Sequence, residues 1–310
     1  MRAIGVREFG GRDRLEELEL PKPKVPPDGV LIRVRAAGVN PVDWKIREGR
    51  LDARFPHVFP VVPGWDAAGV VEEVGPGVVE FAPGDEVFAY CRKPFIGEGT
   101  YAELVSVPVA SVARKPAALS FEEAGGLPLT GLTAYQALFF AAGLTAGERV
   151  LVHAAAGGVG SMAVQLAVDA GAEVIGIARE ENRDYVLSHG AYEVVDHTNG
   201  NVAEAVRELV PEGVDVALEV FPEETLGNAV RDEGRLVSLV APPSYGERGV
   251  VPLYVFVRPD GEQLEELSAL ADDRRLRVEL QEVLPLADAT RAHELSEGGH
   301  VRGKLVLRVD

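Results

Sequence analysis

Val150-Leu151-Val152-His153-Ala154-Ala155-Ala156-Gly157-Gly158-Val159-Gly160 is an apolar run that stops at a glycine-rich turn. It opens directly into the helix-forming stretch Ser161-Met162-Ala163-Val164-Gln165-Leu166-Ala167. A buried strand, a tight glycine loop and a helix in that order can hold the pyrophosphate of a dinucleotide. Ala155-x-Gly157-x-x-Gly160 is the fingerprint of such a loop, with alanine in its first place. Gly157 lets the backbone approach the pyrophosphate, Gly160 lets helix and strand pack closely, and Ala156, Gly158 and Val159 complete the loop. Unpaired N–H groups and the dipole at the helix start favour the anion. The competing reading is a glycine-rich turn in an α/β domain that holds no ligand.

The end of the second strand chooses the dinucleotide. NAD sites place an acidic residue there, about 20 residues past the loop, for the ribose 2′-hydroxyl. Here that place falls near Ala178, followed by Arg179, with Arg183 a few residues on. A small residue removes anionic repulsion, and a guanidinium pairs with a 2′-phosphate through charge-assisted hydrogen bonds. NADPH is therefore expected ahead of NADH. Glu180 and Glu181 stand beside these arginines and offer the alternative of ordinary ion pairs.

The elements that must carry this loop alternate from Arg149 onward. Strands are expected at Val150–Ala154, Glu173–Ala178, Glu193–Asp196, Val214–Val220, Arg235–Val240 and Leu253–Val257, with helices at 159–170, 182–189, 202–210 and 223–230. Strands interleaved with single helices imply right-handed crossovers and a doubly wound parallel sheet. Val240-Ala241 and Phe256-Val257-Arg258 then fall at the carboxyl ends of the fifth and sixth strands, where ligands sit in open parallel sheets. Before residue 120 the chain reads as short strands punctuated by Pro and Gly, which suggests a small, partly open barrel. Ser120-Phe121-Glu122-Glu123 fits a capping box, and a helix is expected from Leu132 to Ala142. The tail reads as a helix at 262–271, a strand near Arg277–Val283, a helix at 287–296 and a strand at Lys304–Val309.

Composition narrows the function. The 310 residues carry one cysteine, Cys91, so an internal disulfide framework and a multi-cysteine zinc site are excluded. A net charge of −18 disfavours nucleic-acid and anionic-membrane surfaces, which need clustered cations. No apolar run approaches the roughly 20 residues of a membrane helix, and Met1–Gly11 lacks the apolar region of a secretory signal. A soluble, cytoplasmic protein is expected.

Four segments occur in order: Ala36-Ala37-Gly38-Val39-Asn40-Pro41-Val42-Asp43-Trp44-Lys45, Pro63-Gly64-Trp65-Asp66-Ala67-Ala68-Gly69, Gly131-Leu132-Thr133-Ala134-Tyr135 and Ala154–Gly160, closed by Gly303-Lys304-Leu305-Val306-Leu307. Together they resemble the zinc-free quinone oxidoreductase and enone reductase branch of the medium-chain dehydrogenase/reductase superfamily. The resemblance implies a GroES-like catalytic domain (1–119 and 261–310) around a Rossmann domain (120–260). It also implies NAD(P)H-dependent reduction of quinones or of the C=C bond of α,β-unsaturated carbonyls, and homodimers formed by edge pairing of Rossmann sheets, for which Leu253–Val257 is the candidate edge. Thr133 and Val159 would lie near the nicotinamide or pyrophosphate, and His197 would line the adenosine side.

Zinc-dependent relatives bind metal through a cysteine near Asn40–Asp43 and through a Gly-His-Glu motif. This chain has neither, reading Asn40-Pro41-Val42-Asp43 and Gly64-Trp65-Asp66, so no zinc is expected. Hydride delivery to an enone builds charge on the carbonyl oxygen that a metal would otherwise stabilise. Asn40 as amide donor and Lys45 as ammonium donor are the candidates to take that role, with Asp43 orienting Lys45 as an ion pair. An enoyl-thioester reductase and a non-catalytic NADPH-binding protein are the alternatives.

Overall fold

The computed structural model describes residues 1–310 except Glu224 and Ser244. The chain forms two compact units, Met1–Leu132 with Arg258–Asp310, and Thr133–Val257.

The second unit is a six-stranded sheet with every pairing parallel. In spatial order its strands are Glu193–Val195, Glu173–Ile177, Arg149–Val152, Val214–Glu219, Val230–Ser238 and Val251–Tyr254. This 3-2-1-4-5-6 order is the doubly wound dinucleotide topology. Val150, Leu151, Val152, Val216, Ala217 and Leu218 of the central strands are all fully buried, as a sheet covered on both faces requires. Helices Gly158–Asp169, Arg183–Ser188 and Val202–Leu209 make the first crossovers. The helix expected at 223–230 is instead a short 3₁₀ turn, Leu226–Ala229, among the described residues; Glu224 lies outside them. The Tyr245 ring lies flat on Gly227, and its hydroxyl donates to Asn228 Oδ1 at 3.0 Å, which fixes the turn. The sixth strand ends at Tyr254, so Phe256 and Val257 lie beyond it rather than in it.

The first unit holds a seven-stranded, mainly antiparallel sheet and two two-stranded ones. Both chain ends build it: Leu305, Val306 and Leu307 of the last strand pair with Val39, Gly38 and Ala37. The capping box at Ser120 forms as read, with Ser120 Oγ accepting from Glu123 N and Glu123 returning to Ser120 N. Its helix, Phe121–Gly126, packs on the strand Gly29–Val39. A Cβ at Gly38 would fall 2.3 Å from Gly125 O, so only glycine allows this approach. That packing draws residues 120–132 into the first unit, and the second begins at Thr133 and ends at Val257 rather than at 120 and 260. The expected helix 132–142 starts earlier, as Pro128–Tyr135, and widens into a π-helical stretch at Gln136–Ala141. In the tail, the strand expected at 277–283 forms at Leu280–Pro285, between helices Gly261–Asp272 and Ala289–Glu297. No helix among the described residues is long and apolar enough to cross a membrane.

Candidate active site

The glycine loop leaves the strand Arg149–Val152 and caps the helix Gly158–Asp169, with Gly157 as N-cap and no side chain satisfying the first turn. Its donors are therefore left for a ligand. The two fingerprint glycines differ in cause. A Cβ at Gly160 would lie 2.1 Å from Ala154 O, so Gly160 is required by the protein's own packing. A Cβ at Gly157 would meet nothing closer than Ala154 O at 3.4 Å, an ordinary contact, so the protein does not itself require glycine there. A glycine that internal packing does not demand fits a backbone approached from outside. Ala154 turns the chain with φ +51°, a left-handed conformation normally left to glycine.

Parallel pairing sets the neighbouring strand ends beside this loop. Ala178, 5% exposed, follows the second strand, and exposed His197 follows the third. Val240 and Ala241, both exposed, follow the fifth, with their N–H groups 3.2 and 3.5 Å from the buried Ser238 hydroxyl. Exposed Phe256 and half-buried Val257 follow the sixth. Arg258 belongs to the first unit, where it pairs with Asp260 at 3.2 Å. Thr133 is buried in the helix Pro128–Tyr135.

The two arginines separate in role. Arg183 is engaged within the protein: Nε donates to Glu180, Nη1 to Glu193 Oε1 at 2.5 Å and Nη2 to Val194 O at 2.8 Å. These bonds tie the second crossover to the third strand and compete with its expected place as a phosphate ligand. Arg179 reaches Glu181 only at 3.9 Å and keeps a half-exposed side chain.

In the first unit, helix Pro41–Arg47 carries Asn40 as its N-cap, Asp43 and Lys45. Asn40 is 1% exposed, and both ends of its amide are engaged. Nδ2 donates to Asp66 Oδ2 at 2.8 Å, and Oδ1 accepts from Lys304 Nζ at 2.5 Å. The amide expected to face substrate thus bridges Asp66 and Lys304. Asp43 is fully buried and accepts from Asn40 N at 2.8 Å and Tyr101 OH at 3.2 Å, both at Oδ2; Oδ1 has no partner. No ion pair joins it to Lys45 among the described residues. Asp66 Oδ1 accepts from Leu129 N at 2.8 Å, and Lys304 Nζ also donates to Val39 O at 2.9 Å.

Two buried carboxyl groups thus lie near one buried ammonium, whose own hydrogen bonds go to Val39 O and Asn40 Oδ1. Burial pushes Asp43 up to about 7, with the nearby Asp66 charge adding to the rise and the Asn40 N–H and Lys304 opposing it. Burial likewise raises Asp66 to about 6, against Lys304 and the Asn40 amide, and lowers Lys304 against both acids. Asp66, Tyr101 and Lys304 were not singled out as site residues. The available signal was Lys304 itself, a charge placed at the head of the apolar strand Lys304-Leu305-Val306-Leu307, where burial demands a partner.

Lys45 lies apart from this cluster. It is half-buried, 5.5 Å from the centroid of the Trp44 ring, and burial together with the Arg50 charge lowers its pKa. Trp65 is buried against Tyr90, and with Ile46, Val62, Cys91 and Phe95 it lines a small cavity. The residues do not suit zinc. Among those described, no three His, Cys, Asp or Glu side chains gather as metal ligands, and Asp66 is committed to Asn40 and Leu129.

Residues 26–117 match the model of the alcohol dehydrogenase GroES-like domain, and 189–307 match that of the zinc-binding dehydrogenases. The chain is 40% identical to a quinone oxidoreductase of Mus musculus over 74% of its own length and 70% of the relative's. It is 34% identical to that of Sus scrofa over 99% and 97%. Among solved structures, an NAD-dependent alcohol dehydrogenase superposes with a TM-score of 0.91 at 34% identity, covering 100% of both chains. The quinone oxidoreductase from Coxiella burnetii gives 0.89 at 31%, covering 100% of this chain and 99% of the other. With the parallel nucleotide sheet, the mixed first sheet and these full-length likenesses together, the chain belongs to the medium-chain dehydrogenase/reductase superfamily of oxidoreductases, among the homologues of quinone oxidoreductase.

Proposed function

We propose that the chain reduces a quinone, or the C=C bond of an α,β-unsaturated carbonyl, with NADPH and without zinc. The observation that carries this reading is the loop Ala154–Gly160, where Gly160 is fixed by packing and Gly157 is open to an approaching pyrophosphate. The residues that would hold the dinucleotide are Ala156, Gly157, Gly158, Val159 and Gly160 at the pyrophosphate, Arg179 at the 2′-phosphate and His197 at the adenosine side. Thr133, Val240, Ala241, Phe256 and Val257 would serve the nicotinamide half. When bound, NADPH supplies the hydride.

Lys45 supplies what a metal would otherwise give. Its ammonium has no acidic partner among the described residues, so its field is available to an enolate oxygen. Burial makes the proton easier to release, so Lys45 also serves as a proton donor once charge has built on the acceptor. Asn40 and Asp43 act one step back, holding the N-terminus of the helix that presents Lys45. Two chains are proposed to pair through the strand Val251–Tyr254, one of the two edges of the second sheet among the described residues, whose Val251 is 45% exposed.

The test is Lys45→Met assayed with a cyclic enone. A loss of roughly tenfold or more in kcat, the lower range for removing one acid or electrostatic donor, supports the assignment. An unchanged kcat/KM removes Lys45 from the mechanism.

A further inference from the structure

We infer that Arg50, beside the Trp44 ring and near Lys45, forms a subsite for a carboxylate, so that the acceptor is a conjugated carbonyl compound that also carries a negative charge. The inference rests on the proposed reductase reading and narrows its substrate class.

The indole of Trp44 is attended by two cations. Lys45 Nζ lies 5.5 Å and Arg50 Cζ 4.7 Å from the ring centroid. Each is drawn to the ring and repelled by the other. The neighbouring acids do not resolve this. Glu48 gives Oε2 to Arg50 Nε at 2.8 Å and Oε1 to Arg47 Nη2 at 2.9 Å, so one carboxylate serves two guanidinium groups. Asp52 pairs with His57, and Asp43 points into the interior toward Tyr101. Lys45 is left with no acid.

The other lysines show how unusual that is in a chain of net charge −18. Lys22, Lys93 and Lys115 each pair with a glutamate, and buried Lys304 sits among Asn40, Asp66 and Asp43. Lys24 is exposed to water. Lys45 alone of the six is half-buried and uncompensated. Beside it, the buried Trp44 Nε1 is a donor without an acceptor. Two cations beside one indole make a positive surface that an anionic acceptor completes: its carboxylate pairs with Arg50, and its carbonyl oxygen is left to Lys45.

The probe is benzylideneacetone bearing a para-carboxylate, compared with its neutral methyl ester. The acid is expected to show the higher kcat/KM. Arg50→Gln is expected to erode that preference roughly fivefold through the KM of the acid, the scale of one partly exposed charge contact. Equal handling of acid and ester by the wild type, or a preference untouched in Arg50→Gln, overturns the subsite. Binding without cofactor, followed by tryptophan fluorescence, decides the matter independently of turnover. If neither compound is reduced, the reductase reading falls, yet tighter binding of the acid that weakens in Arg50→Gln still supports the subsite, and equal binding refutes it. Displacement of the acid by adenosine 3′,5′-bisphosphate but not by benzoate would place the anion on a thioester carrier and overturn the carboxylate assignment.

Discussion

The ammonium of Lys304 donates to Asn40 Oδ1 at 2.5 Å across 264 positions of sequence, and both residues are buried. Through that bond the last strand holds the N-cap of the helix that carries Lys45, and through Asp66 the same amide is tied to Leu129. Lys304→Met leaves Asn40 Oδ1 and Val39 O without their donor and removes the cation near two buried carboxyl groups, and is expected to cost about 1–3 kcal/mol, the range for leaving buried polar groups unsatisfied. Lys304→Met combined with Asp66→Asn leaves fewer uncompensated charges and should recover part of the loss. Urea unfolding of the single and double variants measures both, and additive losses would show that the two side chains are not coupled.

The same cluster gives stability a definite pH dependence. Asp43 and Asp66 are raised in the folded state to about 7 and about 6, above the usual carboxylate values. Between roughly pH 4 and pH 7 the folded state therefore binds more protons than the unfolded state, and stability falls as pH rises through that window. Asp43→Asn keeps an oxygen for Asn40 N and Tyr101 OH but removes the titration. Its melting temperature should change less steeply than the wild type's over this range, gaining on it as pH increases. Parallel curves would contradict the assignment.

The loop that marks the nucleotide sheet was readable because its signal is local. An apolar run, a glycine turn and a helix lie within Val150–Ala167, and the alternating strands around them fix the topology. What escaped was long-range. Nothing near Arg183 announces that Glu193 and Val194, on the next strand, already occupy it. Asn40 and Asp43 were legible as polar residues beside a helix start, but their partners Asp66, Tyr101 and Lys304 come from three distant segments. Those long-range partners are not legible from the helix start alone. The start of the second unit shows the same limit: the capping box is local, but the packing of Gly125 against Gly38 is not.

Ala154 and Gly160 should respond oppositely to exchange. Ala154 holds φ +51°, so Ala154→Gly relieves a left-handed alanine and is expected to gain up to about 1 kcal/mol, offset in part by the entropy of glycine. Gly160→Ala drives a methyl against Ala154 O, 2.1 Å from the ideal Cβ position, and should displace the loop. Thermal denaturation and NADPH titration of the two variants distinguish them. A well-folded Gly160→Ala protein that binds NADPH normally would refute the steric argument.

Arg179 and Arg183 should likewise part company. Arg179→Ala is expected to lower the preference for NADPH over NADH about tenfold or more, by removing a charge-assisted contact to the 2′-phosphate. Arg183→Ala should leave the ratio unchanged, because its guanidinium is committed to Glu180, Glu193 and Val194. Steady-state kinetics with both coenzymes check this, and a ratio that follows Arg183 instead would reverse the assignment.

The most direct measurement follows oxidation of NADPH by chelator-treated protein against naphthoquinone, an alkenal and a cyclic enone. The account predicts turnover with at least one of these acceptors, faster with NADPH than with NADH and indifferent to the chelator. Failure to oxidise NADPH with any of them, or activity that vanishes with the chelator and returns with zinc, would contradict it.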